Sequence, residues 1–125
     1  PETSFHFESG YMDDPAEVNA WIYLCDIVCL CYEKFYYSSG IMTKAAAREK
    51  VMLVTRGYCM GERVQRYGLG LTAREGDLEE IIAGLKIMTD NDRRKKMLAQ
   101  AQFKKFMDFH NYCKLDEVLS GILEV

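Results

Sequence analysis

The sequence has little of what marks disordered, secreted or zinc-stapled chains. Only two of its 125 residues are proline and 49% are apolar, which excludes a disordered class. Its five cysteines are an odd number without paired Cys-x-x-Cys spacing, so neither a disulfide framework nor a structural metal site is expected. We therefore expect one globular domain with free thiols in a reducing, intracellular location. The cysteines are Cys25, Cys29, Cys31, Cys59 and Cys113.

Several functional signals are also missing. No positively charged start precedes a short apolar run, and Asn19 and Asp26 interrupt the longest apolar stretch, so neither a signal peptide nor a membrane span is predicted. The formal net charge of −3 and the pI near 5.4 argue against nucleic-acid binding by this domain. The chain has no nucleophile elbow, no His-Glu-x-x-His and no evident acid–base pair. We therefore expect no enzyme and no cofactor.

The residues from 14 to 37 predict one long helix on which the rest of the chain is organised. Asp14 can cap its first turn, Pro15 suits the first helical position, and Glu17 suits the positive end of the helix dipole. Between Val18 and Tyr32 nearly every residue is apolar, so this helix needs cover on more than one side.

In a small chain, that cover can come from a second subunit. The aromatic and aliphatic positions of the predicted helix follow the three-and-four spacing of a helix face, and buried aromatics tend to dominate association energy. We expect a homodimer through this helix, with the contact at Trp21, Cys25, Val28, Tyr32 and Phe35.

Helical spacing and capping signals continue along the chain. They predict further helices at about 44–56, 58–66, 73–88 and 92–109, and a last one from residue 116. Thr72 and Glu75 have the spacing of a capping box, and Asp90 or Asn91 can cap the helix that follows. The predicted fold is all-α, a compact bundle of five to six helices over residues 14–125. Residues 1–13 are predicted to be an N-terminal arm.

Three local patterns have both a functional and a plain interpretation. The two glycines of Gly68-Leu69-Gly70 are a weak phosphate-loop signal, because no lysine follows them, and a helix entry explains them better. The cations at 93–96 follow two aspartates, which favours a solvated helix face over a DNA contact. His110 and Cys113 offer half a metal site at most, and cysteine as a small core residue explains the rest.

The segment from 58 to 71 is a candidate docking edge for a peptide. A short helix beside a flexible joint leaves apolar side chains with few local neighbours, and such residues often line a binding groove. The predicted contacts are Tyr67, Leu69 and Leu71. The alternative is that Leu69 and Leu71 close the core beneath the joint.

The order of these features is similar to that of one known family. The features are Val18-Asn19-Ala20-Trp21 and Leu30-Cys31 in the entry helix, Leu71-Thr72 with Glu75 at the next, and the hairpin that ends in residues 115–119. Together they resemble the front half of the homodimerisation domain of the telomeric repeat-binding factors. The resemblance implies a homodimer built on the first helix and a peptide-accepting groove near Tyr67. It also implies a nuclear location and a separate DNA-binding domain.

Two functional hypotheses follow. The first is a non-enzymatic, homodimeric scaffold that docks peptides from partner proteins, in a telomere-associated complex if the resemblance holds. The alternative is a monomeric helical adaptor that binds a different protein through the apolar first helix. A concentration series by light scattering separates the two.

Overall fold

The fold contains a parallel β-sheet, so the prediction of an all-α bundle is wrong. The computed structural model describes residues 4–124 and has three strands among them, in the spatial order β1-β2-β3. Both strand pairs are parallel, with Ile27 opposite Val51 and Met52 opposite Gly70. The strands are β1 (Ile27–Leu30), β2 (Val51–Thr55) and β3 (Gly70–Ala73).

The apolar runs that predicted helix are buried parallel strands. All five residues of β2 are buried, and a strand covered on both faces has no polar alternation to reveal it. Val51 and Val54 are β-branched, as are Ile27 and Val28 in β1, and such side chains favour strand over helix. The predicted helix over 14–37 therefore ends at Leu24, and the chain then turns into β1.

Seven helices are found among residues 4–124. They are α1 (Pro15–Leu24), α2 (Gly40–Ala47), α3 (Tyr58–Tyr67), α4 (Leu78–Thr89), α5 (Asn91–Gln100), α6 (Phe103–Phe109) and α7 (Tyr112–Leu123). The predicted starts at two aspartates are confirmed: Asp14 accepts a hydrogen bond from Ala16 N at 2.9 Å, and Asp90 accepts one from Arg93 N at 3.0 Å. None of these helices has the length and apolar character needed to span a bilayer.

Other predicted boundaries are wrong. Thr72 belongs to β3, and the cap of α4 is Asp77, which accepts a hydrogen bond from Glu80 N at 3.1 Å. The single helix predicted over 92–109 is interrupted at Ala101 and Gln102, so that α5 and α6 are separate. The last helix begins four residues earlier than predicted, because Asn111 caps it.

The core lies on both faces of the sheet. On one face, Gly84 of α4 packs directly over Leu53 of β2, where an added Cβ would be 2.9 Å from the leucine side chain. Phe103 and Phe106 of α6 are buried in the same apolar cluster as Met42 of α2. The described part of the predicted arm, residues 4–13, forms no helix or strand and is largely exposed, and residues 1–3 lie outside the described residues.

Candidate functional site

The residues predicted for a dimer contact lie mostly against the core of their own chain. Val28 is buried in β1, and Cys25, Tyr32 and Phe35 are half-buried against the apolar cluster. Trp21 is half-buried too, with its ring centroid 4.9 Å from that of His6. These five side chains do not form one free face, because the helix predicted to carry them ends before Val28.

The predicted docking residues are also largely internal. Leu69 is fully buried, and Tyr67 is 7% exposed with its ring edge-on to Phe106 at 5.5 Å. Only Leu71 is half-buried. Tyr67 and Leu69 therefore close the core, which is the alternative to a docking edge.

An apolar stripe on α7 is exposed along one face of the helix. Leu115, Val118, Leu119 and Ile122 follow the i, i+3, i+4, i+7 spacing of one helix face, and each is 48–64% exposed. No residue of α7 is buried. An amphipathic helix normally turns such a stripe toward a core, so this stripe is apolar surface without a partner in the described chain.

The helices α6 and α7 differ in how they are attached to the rest of the protein. The α6 helix is anchored by buried Phe103 and Phe106, and His110 at its end stacks on Phe106 with ring centroids 4.3 Å apart. The α7 helix is tied to α6 mainly through Asn111, whose side chain caps Lys114 N and donates to Met107 O at 2.6 Å. The hydrogen bonds of Asn111 therefore hold α7 at its first turn, while its apolar face is exposed.

A groove of about 680 Å³ separates α7 from α2 and α3. Leu115 and Val118 form part of its apolar wall, with Phe109 of α6 beside them. Lys44 of α2 and Arg63 of α3 contribute cations to its lining. The stripe on α7 thus continues into a concave surface.

A second cluster lies where the three parallel strands end. The carboxylate of Glu75 accepts hydrogen bonds from the backbone N–H of Lys34 and from the Tyr58 hydroxyl, the latter at 2.8 Å. The Lys34 amide is the main cause that lowers the pKa of Glu75, and the bond to Glu75 raises the pKa of Tyr58. Arg56 donates to Glu80 at 3.0 Å. These groups satisfy one another, so the cluster ties together the loops that follow the strands.

Two of the cysteines are close together at the outer strand. The Sγ atoms of Cys29 and Cys31 are 3.6 Å apart, and Cys31 Sγ is 3.6 Å from the carbonyl oxygen of Leu53. Burial, followed by the neighbouring Cys29, raises the pKa of Cys31 to about 12. All five cysteines are free thiols in the structure.

No group of three or more potential metal ligands occurs among residues 4–124. His110, half of the His-x-x-Cys pattern, has its Nδ1 2.9 Å from the carbonyl oxygen of Phe106. Cys113 is exposed on α7.

Comparison of the chain with protein-family models, curated proteins and solved structures gave no match. The resemblance to the telomeric repeat-binding factors therefore stays a prediction.

The sequence contained part of the signal for the α7 surface. The apolar spacing of Val118, Leu119 and Ile122 predicts one face of the last helix, which forms a hairpin with the preceding helix. Spacing alone does not say whether another element covers that face.

Proposed function

We propose that this chain is a non-enzymatic association domain that forms a homodimer through the apolar face of α7. The observation that carries the proposal is the exposure of four apolar side chains, Leu115, Val118, Leu119 and Ile122, on one face of a helix with no buried residue. Burying such a face removes apolar area from water, which favours association.

The total surface of the chain supports this proposal. A compact monomer of 14.4 kDa is expected to expose about 6,800 Å², whereas this chain exposes 9150 Å². The excess is larger than the roughly 800 Å² that each partner buries in a standard interface. Part of it belongs to the extended segment before α1, and α7 contributes another part.

The pattern of the stripe favours a second copy as the partner. The spacing of Leu115, Val118, Leu119 and Ile122 is symmetric about its own midpoint, between residues 118 and 119. Two antiparallel α7 helices related by a two-fold axis would place Leu115 opposite Ile122 and Val118 opposite Leu119. A two-fold interface requires this kind of self-complementary patch.

The test is a charge placed at the centre of the stripe. Val118→Glu should abolish dimerisation, because the proposed contact would bury the new carboxylate against the apolar Leu119 of the second copy. Val118 is 48% exposed in the single chain, so the variant should keep its fold. Light scattering at low micromolar concentration reads the mass, and circular dichroism checks the fold.

Ser120→Glu is the matched control, because it adds the same charge on the opposite side of the same exposed helix. We expect the control to dimerise like the unmodified chain. A folded Val118→Glu chain that stays dimeric would contradict the proposed interface. An unmodified chain that is monomeric throughout the concentration series would contradict homodimerisation and favour the adaptor hypothesis.

The proposal does not depend on the telomeric setting. An intracellular and nuclear location, and a role in a telomere-associated complex, stay predictions drawn from the cysteine pattern and the resemblance.

A further inference from the structure

The two cysteines at β1 form a pair that the proposed association does not use. Cys29 lies in β1 and Cys31 one residue after its end, so the two positions are separated by one residue and face the same side of the strand. Their Sγ atoms are 3.6 Å apart without a bond between them. The side chain of Cys29 is exposed, and that of Cys31 is half-buried.

The pair is accessible because the sheet is covered unevenly. Cys29 is opposite Leu53 in the parallel register, so both side chains point to the same face of the sheet. On that face, Gly84 of α4 covers Leu53 at the central strand. The cover does not extend to Cys29, which is exposed at the margin of the sheet.

We infer that Cys29 and Cys31 form a bidentate dithiol site for a soft monovalent cation of the Cu(I) class. Thiolate sulfur is the ligand that Cu(I) prefers among protein groups. This cation can complete its shell with two or three soft ligands, so two thiolates with or without one exogenous ligand suffice. A structural zinc ion needs four ligands, and the residues the structure describes place no third protein ligand beside the pair.

Coordination requires only small adjustments. Both thiol protons leave to solvent, two S–Cu bonds form, and no electron is transferred. The exposed Cys29 side chain can rotate to adjust the sulfur separation, and the Cys31 sulfur exchanges its S–H hydrogen bond to the carbonyl oxygen of Leu53 for the bond to copper.

A disulfide between the same residues is less favourable. Residues two positions apart in an extended strand have Cα atoms separated by about 6.6 Å, close to the upper limit for a disulfide. The geometry therefore favours a reduced dithiol that stays available to a cation.

The experiment titrates the reduced full chain with Cu(I) under anaerobic conditions against a chromophoric Cu(I) chelator as competitor. We expect the unmodified chain to take one equivalent from the chelator. Cys29→Ser and Cys31→Ser should each lower the apparent affinity by at least about tenfold, since each removes one of two ligands. Cys113→Ser is the control, because it removes an exposed thiol at a distant helix and should leave the affinity unchanged.

Two results would overturn the inference. One is a first equivalent that the double variant Cys29→Ser/Cys31→Ser still binds as tightly as the unmodified chain. The other is Zn²⁺ that displaces Cu(I) at equal concentration. The titration is repeated on Val118→Glu, where binding should persist, so that failure of the proposed dimer does not affect this result.

Discussion

At the scale of single residues, Gly70 is the position where the sheet tolerates no side chain. Its φ is +151°, and a Cβ there would lie 1.9 Å from the carbonyl oxygen of Met52 in the neighbouring strand. We predict that Gly70→Ala lowers the free energy of unfolding by roughly 2–4 kcal/mol, because β3 must move away from β2 or distort. Chemical denaturation monitored by circular dichroism measures the change.

Gly40→Ala is the matched control for this prediction. Gly40 starts α2 without positive φ, and its added Cβ would meet no atom within 4 Å. We expect a change within about 0.5 kcal/mol for this exposed position. Equal losses in the two variants would contradict the role assigned to Gly70.

Helix caps could be predicted from the sequence, whereas the role of Gly70 could not. The caps at Asp14 and Asp90 depend on the first turn of their own helices, so local sequence was enough. The sequence pattern predicts one flexible joint at Gly68 and Gly70. In the structure, Gly68 ends α3 in the left-handed region while Gly70 opens β3 against Met52. The role of Gly70 depends on a neighbour 18 positions away, which spacing within the segment does not reveal.

At the scale of elements, α6 and α7 form a hairpin with one anchored and one unanchored helix. Phe103 and Phe106 bury α6, whereas α7 buries none of its residues. Proteolytic cleavage requires local unfolding, and a segment with few buried contacts unfolds at low cost. We therefore predict that brief trypsin treatment at submicromolar protein concentration cuts after Lys114 before it cuts after Lys104 or Lys105.

Mass spectrometry of the early fragments measures this order. Side-chain exposure alone would give the opposite order of cleavage. The side chain of Lys104 is 88% exposed, whereas that of Lys114 is 32% exposed. Cleavage at Lys104 first would show that accessibility, and not the anchoring of the helix, decides the order.

The sequence patterns predict helix at two segments that form the strands β1 and β2 in the structure. The run Val51-Met52-Leu53-Val54 is apolar at every position, so it fits a helix stripe and a buried strand equally well. Its shortness and its β-branched residues were the available signals for a strand. The α3 helix was predicted over 58–66 and is confirmed at Tyr58–Tyr67, because Gly57 and Gly68 delimit it on both sides.

At the scale of the whole molecule, the excess exposed surface leads to one further prediction. Homodimerisation adds a term to stability that grows with protein concentration, because the second copy binds the folded chain and not the unfolded one. We predict that raising the concentration about a hundredfold through the micromolar range increases the Tm of the unmodified chain by on the order of 5 °C.

Scanning calorimetry on the unmodified chain and on Val118→Glu measures this difference. The variant should melt at a temperature independent of concentration, because it cannot form the α7 contact. Ser120→Glu should follow the unmodified chain, which separates the position of the charge from its mere addition. A Tm that rises equally in all three proteins would place the association surface elsewhere than on α7, since only Val118→Glu alters the centre of that stripe.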